Sequence, residues 1–212
     1  MKTTLLAVLA GILYCSWPLG AWLNPAVSGH KLASQLGGLH QPYNWVFIAG
    51  DILCGIACVV LSIQLWRHEN RRLKRNILWI IVGGLVVFGV GTALAAAVPV
   101  RCETALHSCP SPLHDSQLLV HGIASVVSSV ALGCSLLVLY ALRLTDWLAG
   151  AIFAAYSLSG AVSLTEILSP KSSNVLQHIF LTLTGLCLAS LPYMLARVSS
   201  LRLGTIKKVE TR

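Results

Sequence analysis

The stretch Trp45–Trp66 reads WVFIAGDILCGIACVVLSIQLW. It is apolar almost throughout, and a tryptophan stands at each end. At ~1.5 Å of rise per helical residue it is long enough to cross ~30 Å of hydrocarbon. Its one carboxylate is Asp51. A charge placed inside a bilayer is costly, so such a group marks a candidate functional site by default.

Five further stretches of similar length flank it: Thr4–Leu23, Ile77–Val98, Leu118–Leu142, Trp147–Leu168 and Val175–Ala196. The chain is 56% hydrophobic and 10% charged, with a mean hydropathy of +0.77. Soluble domains carry about 25% charged residues, so most of this surface faces lipid. No linker, low-complexity run or internal repeat divides it. The expected fold is all-α, a polytopic six-transmembrane-helix bundle forming one domain over residues 1–212. The first stretch starts like a signal peptide, with Lys2 ahead of an apolar run. It continues through Trp17, Trp22 and Leu23 without a small-residue cleavage site, and is expected to stay as a helix bent at Pro18.

The net charge of +8 invites a nucleic-acid reading. The placement of the charge excludes it. With six spans, Lys2, Arg143, the loop Arg67–Arg75 and the tail from Arg197 lie on one side. That side holds all the Lys and Arg except Lys31, Arg101 and Lys171. This is the positive-inside pattern, and it places both termini in the cytoplasm. The basic loops need no partner beyond anionic lipid headgroups of the bilayer. Trp17, Trp22, Trp45, Trp66, Trp79 and Trp147 fall near span ends, as an aromatic belt requires.

The outer loops are richer in polar signal. Asn24–Asn44 contains Ser34 and His40 around a Gly-Gly turn, and Pro99–Gln117 contains Cys102, Cys109, His107 and His114. Cys102 and Cys109 lie on the oxidising side and are expected to form a disulfide, with a metal pair as the alternative. The cysteines inside the spans read as small apolar packing residues. The third span carries a Gly91/Ala95 small-xxx-small pair, a helix-packing signal.

Inside the spans, polar residues recur at helical spacing. The stripes are Asp51, Cys54/Gly55, Cys58 and Ser62; His121, Ser125 and Ser128/Ser129; Tyr156, Ser159, Ser163 and Glu166; and His178, Thr182 and Gly185. Lipid satisfies none of these, so the stripes of spans two, four, five and six are expected to turn towards one another. Asp51, His121, His178 and Glu166 fall near the outer ends of their spans, at depths that agree to about a turn and a half. Asp51 and His121 are expected to approach each other between spans two and four.

Two imidazoles and one or two carboxylates at one level could ligate zinc, with Asp51, His121 and His178 as the ligands and a water in the open position. The plainer reading is structural: an interfacial histidine often caps a helix or bonds a neighbouring carbonyl. No HxxxH or HExxH motif is present. A nucleophilic Ser34 or Ser125 would need a base and an oxyanion site, and no GxSxG elbow is present. Six spans without an inverted repeat or broken helices argue against a secondary transporter.

Short motifs carry a family resemblance. Asn24-Pro25, Ser34-Gln35-Leu36-Gly37, Gln41-Pro42-Tyr43 and Gly50-Asp51 with Gly55 resemble the signature of the DUF998 membrane proteins. So does Pro99, Cys102, Cys109 and His121-Gly122-Ile123-Ala124-Ser125. The resemblance implies a six-helix bundle in the cytoplasmic membrane of a bacterium, and no established activity. A more distant similarity is to the CREST group of membrane hydrolases, which place a serine, an aspartate and three histidines around zinc. It implies such roles for Asp51, His121 and His178, with Ser125 or Ser34 as the serine. Thr182 stands where that group's late HxxxH pair has its second histidine. His30, His40 or His114 would then have to reach in from a loop.

Two kinds of function follow. One is an outward-facing Asp/His pocket with a binding, sensing or structural role, which would take a lipid ligand. The other is a zinc-dependent hydrolase acting on a lipid or amide at the outer leaflet.

Overall fold

The structure, a computed structural model, describes residues 2–24, 36–39, 41–70, 73–100, 116–142, 147–168 and 175–210, with side chains except at 21, 147–149, 162–168, 176 and 198–210. Among the described residues the chain is all-helical with no strand. The helices are α1 (Lys2–Tyr14), α2 (Trp17–Leu23), α3 (Asn44–Glu69), α4 (Arg75–Ala97), α5 (Ser116–Ala141), α6 (Trp147–Leu168) and α7 (Val175–Glu210).

Five described segments are long and apolar enough to cross a membrane: Lys2–Gly20, Asn44–Glu69, Arg75–Ala97, Ser116–Ala141 and Gln177–Arg197. In α6 the corresponding apolar stretch is the shorter Gly150–Ala161. Large apolar side chains such as Leu5, Ile12, Ile56, Leu158 and Leu186 point out of the bundle, as lipid requires and water would not reward.

The first span is broken rather than bent, which corrects the expectation that no span is a broken helix. Its helix stops at Tyr14 and restarts at Trp17, and Pro18 sits in the first turn of α2. Proline is tolerated there because the first helical N–H groups lack an intrahelical acceptor anyway. The break therefore lies two residues ahead of the expected bend. By contrast Pro192 lies inside α7, which runs on to Glu210.

Packing follows chain order. α1 packs on α3, α3 on α4, α4 on α5, α5 on α6, α6 on α7, and α7 returns to α1. The helices thus form a closed ring of antiparallel neighbours. Glycines set the closest approaches. A Cβ on Gly55 would land on the carbonyl oxygen of Gly89, and one on Gly89 would reach the Gly55 oxygen at 2.6 Å. Gly11 of α1 and Gly185 of α7 meet in the same reciprocal way. Backbones this close exchange dispersion contacts that a side chain would block, which is how apolar helices associate in lipid.

The ring is filled at one end and hollow at the other. Leu61, Leu78, Ile81, Leu85, Leu132 and Leu188 are fully buried between the ends of the helices that carry the basic loop Asn70–Lys74. Tyr14 against Phe88, with centroids 5.2 Å apart, lies near mid-bundle. Beyond that pair the interior opens into a cavity.

Candidate functional site

The cavity has a volume of about 420 Å³, within the range of small-molecule sites. Every helical span contributes to it: Tyr14, Asp51, Thr92, His121, Tyr156 and Phe180 come from α1, α3, α4, α5, α6 and α7. Asp51 and His121, the two ionisable residues that sequence reading placed together, do line one cavity. They do not pair across an interface of spans two and four. α4 packs between α3 and α5, and it takes the histidine.

The His121 imidazole is held by the last turn of α4. Its Nδ1 lies 2.8 Å from the Ala95 carbonyl oxygen and 3.2 Å from that of Val98. Both partners are acceptors, so Nδ1 carries the proton and donates. The last carbonyls of a helix have no intrahelical donor, and an imidazole from the next helix supplies one. In the neutral ring, Nε2 is then the nitrogen with a free lone pair.

Asp51 is the opposite case. It is partly exposed, it lines the cavity, and no hydrogen bond or ion pair to its carboxylate is formed among the described residues. The preceding residue, Gly50, is buried, and a Cβ there would meet Leu13 and Ser16 at the break in the first span.

The serine stripe of α5 satisfies itself. Ser125 donates to the His121 carbonyl at 2.9 Å, Ser129 to Ser125 at 2.9 Å, and Ser128 to Ala124. Such bonds to the preceding turn are the usual refuge of a hydroxyl in apolar surroundings. The Ser125 hydroxyl thus spends its proton on its own helix, and among the described residues it makes no hydrogen bond to a basic side chain. Tyr156 of α6 donates to the Ser129 carbonyl at 2.7 Å and ties α6 to α5 at the cavity wall.

His178 is elsewhere. Its ring stacks on Trp17, centroids 4.5 Å apart and planes 19° from parallel. The Trp17 indole Nε1 donates to the Thr182 hydroxyl at 3.0 Å, and that hydroxyl donates to the His178 carbonyl at 2.8 Å. His178 is not among the residues lining the cavity. The structure therefore does not bring His178 to Asp51 and His121. Among the described residues no group of three His, Cys, Asp or Glu is placed to hold a metal ion. The reason is local: Trp17 takes one imidazole and the end of α4 takes the other.

The stripes as a whole serve pairs of neighbours more than a common centre. His178, Thr182 and Gly185 face the first span through Trp17, Cys15 and Gly11. Gly55 and Cys58 face Gly89 of α4, and Ser128 faces Gly91 of α4. Glu166 lies in α6 with its side chain outside the described set. Ser34, Cys102 and Cys109, with the expected disulfide, lie outside the described residues. The described cysteines, Cys15, Cys54, Cys58, Cys134 and Cys187, are free thiols.

Sequence reasoning missed two parts of the site. One is the aromatic wall from Tyr14, Trp17 and Phe47. Trp17 sits inside, whereas Trp22 and Trp45, 77% and 67% exposed, behave as belt residues. The other is the segment Leu36–Gly37 of the first loop, which folds in to line the cavity, with Leu36 only 2% exposed. A buried hydrogen bond from Asn24 Nδ2 to Gln41 Oε1, 3.2 Å, joins the chain on either side of that segment. The Leu39 amide adds a bond to the Val100 carbonyl at 3.2 Å. Asn24, Leu36, Gly37 and Gln41 all stand in the motifs quoted above, which was the available signal.

A helical ring with lipid-facing apolar sides and an internal cavity defines a multi-pass membrane protein. Residues 7–192 match the family described as proteins of unknown function, DUF998, and the chain belongs to that family. Comparison with curated proteins and with solved structures finds no match.

Proposed function

We propose that this protein is a six-span protein of a bacterial cytoplasmic membrane, with both termini in the cytoplasm, that binds an amphiphilic ligand in the cavity at the outer end of its ring. The observation that carries the reading is the cavity itself: about 420 Å³, apolar for the most part, with Asp51 and His121 on its wall. A mainly apolar hollow with a few convergent polar groups is the usual form of a binding site for a small molecule. The positive-inside distribution supports an outer position for this end of the ring.

The test is binding of a neutral fluorescent single-chain probe, N-decyl dansylamide, to purified protein in maltoside micelles. Gly133 lines the cavity, and a Cβ there would make only an ordinary contact, 3.4 Å from Tyr156. Gly133→Phe fills the space. Saturable binding by the native protein, lost in Gly133→Phe, is expected. Equal binding by both proteins would show that the probe sits elsewhere and would overturn the reading.

The hydrolase reading keeps one supporting observation, that Asp51 and His121 share a cavity. A catalytic zinc needs three protein ligands. The third would come from outside the described side chains, from Glu166 or from a loop histidine, His30, His40 or His114. About one zinc per chain in the purified protein, by elemental analysis, is the result that reading requires.

A further inference from the structure

The cavity's wall holds several committed donors and one carboxyl group, that of Asp51, without a partner among the described residues. The donors of His121, Ser125, Ser129 and Tyr156 are already committed to backbone carbonyls. The Asp51 carboxylate, an acceptor only, has no hydrogen bond or ion pair among the described residues. No described Lys or Arg lines the cavity. A ligand with a carboxylate or phosphate as its buried group would meet like charge at an ionised Asp51 and, for partners, only neutral donors such as the hydroxyls of Tyr14, Ser16, Thr92 and Ser157. A ligand that donates, and carries positive charge, would meet both an anion and acceptors.

The remaining wall suits the same chemistry. Tyr14, Trp17, Phe47 and Phe180 line the cavity. Aromatic faces attract ammonium groups, and more strongly where water is excluded. Leu36, Ile48, Val126 and Leu181 add aliphatic wall, which suits a hydrocarbon chain.

The geometry points to a protonated amine as the ligand's polar group, held by Asp51 among these aromatic rings, with an apolar chain in the remainder of the cavity. This rests on the binding reading above and names its ligand class. The amine belongs either to a lipid headgroup or to a free alkylamine.

The test is displacement of N-decyl dansylamide by decylamine and by decanol, which share a chain length and differ in charge. Decylamine is expected to displace the probe from native protein at about tenfold lower concentration than decanol, since a charge-assisted contact is the difference between them. Asp51→Asn should bring the two to similar potency, and Asp51→Glu, which keeps the carboxylate, should preserve the preference. Equal potency on native protein, or an undiminished amine preference in Asp51→Asn, would overturn the proposal. Failure of the probe to bind at all would instead fail the cavity reading, so the two are separable. In nanodiscs, weaker probe binding with phosphatidylethanolamine than with phosphatidylglycerol alone assigns the amine to a lipid headgroup. Equal binding in the two assigns it to a free amine.

Discussion

The imidazole of His121 is bonded to the carbonyl of Ala95 at 2.8 Å, while Asp51, on the wall of the same cavity, accepts no hydrogen bond among the described residues. Two residues that look equivalent by depth and spacing thus have different occupations. One closes the end of α4, and the other is left for whatever enters the cavity.

The first prediction separates these occupations. His121→Phe removes the donor to Ala95 and Val98 and leaves partly buried carbonyls unpaired, at a cost of about 1–3 kcal/mol. Its midpoint of thermal unfolding in micelles should fall. Asp51→Asn removes a carboxyl group that has no partner among the described residues and should leave the midpoint unchanged or raise it. A loss for Asp51→Asn as large as that for His121→Phe would mean that Asp51 has a structural partner.

A second prediction concerns the glycine crossings. Gly55→Ala puts a methyl group against the Gly89 carbonyl and forces α3 and α4 apart. Overpacking of this kind costs about 1–3 kcal/mol. Gly83, also in α4, has nothing within 4 Å of its would-be Cβ. Gly83→Ala should therefore be neutral or stabilising by up to about 1 kcal/mol, the helix-propensity gain of alanine over glycine. Unfolding midpoints of the two variants side by side decide it; the same loss in both would refute the close-approach argument.

The spans were legible in the sequence because a bilayer asks for long apolar runs, and Trp45–Trp66 or Ile77–Val98 leaves little choice. That Asp51 and His121 share one cavity was also legible, since they sit near the corresponding ends of α3 and α5. What periodicity does not contain is the identity of the facing neighbour. His178, Thr182 and Gly185 share a face by spacing alone, but only packing reveals that the face meets Trp17 and Gly11 of the first span. Leu36 was equally opaque, because a loop residue carries no period and its burial depends on a clamp between Asn24 and Gln41.

That clamp gives a third prediction. Asn24→Ala strips the Gln41 Oε1 of the donor seen at 3.2 Å and should loosen the segment that closes the cavity. Local opening of a loop lowers amide protection there without touching the spans. Hydrogen exchange by mass spectrometry should show faster exchange over residues 36–39, where the Leu39 amide bonds Val100, and unchanged protection in α4 and α5. Unaltered exchange at Leu39 would mean that the Val100 bond holds the segment by itself.

The last prediction fixes orientation. Asn70 and Tyr43 are both exposed and stand at opposite ends of α3, Asn70 beside the basic loop and Tyr43 at the cavity end. The excess of Lys and Arg beside Asn70 and in the tail predicts that this end is cytoplasmic. The assay uses Asn70→Cys and Tyr43→Cys in a background with Cys102 and Cys109 replaced by serine. A membrane-impermeant maleimide applied to intact cells should label position 43 and leave position 70 unlabelled until the cells are opened. In the chain that keeps both native cysteines, the expected Cys102–Cys109 disulfide should block labelling of that loop until a reductant is added, because the same orientation puts it in an oxidising compartment. Labelling at position 70 from outside would invert the orientation, and with it the assignment of the cavity to the outer leaflet.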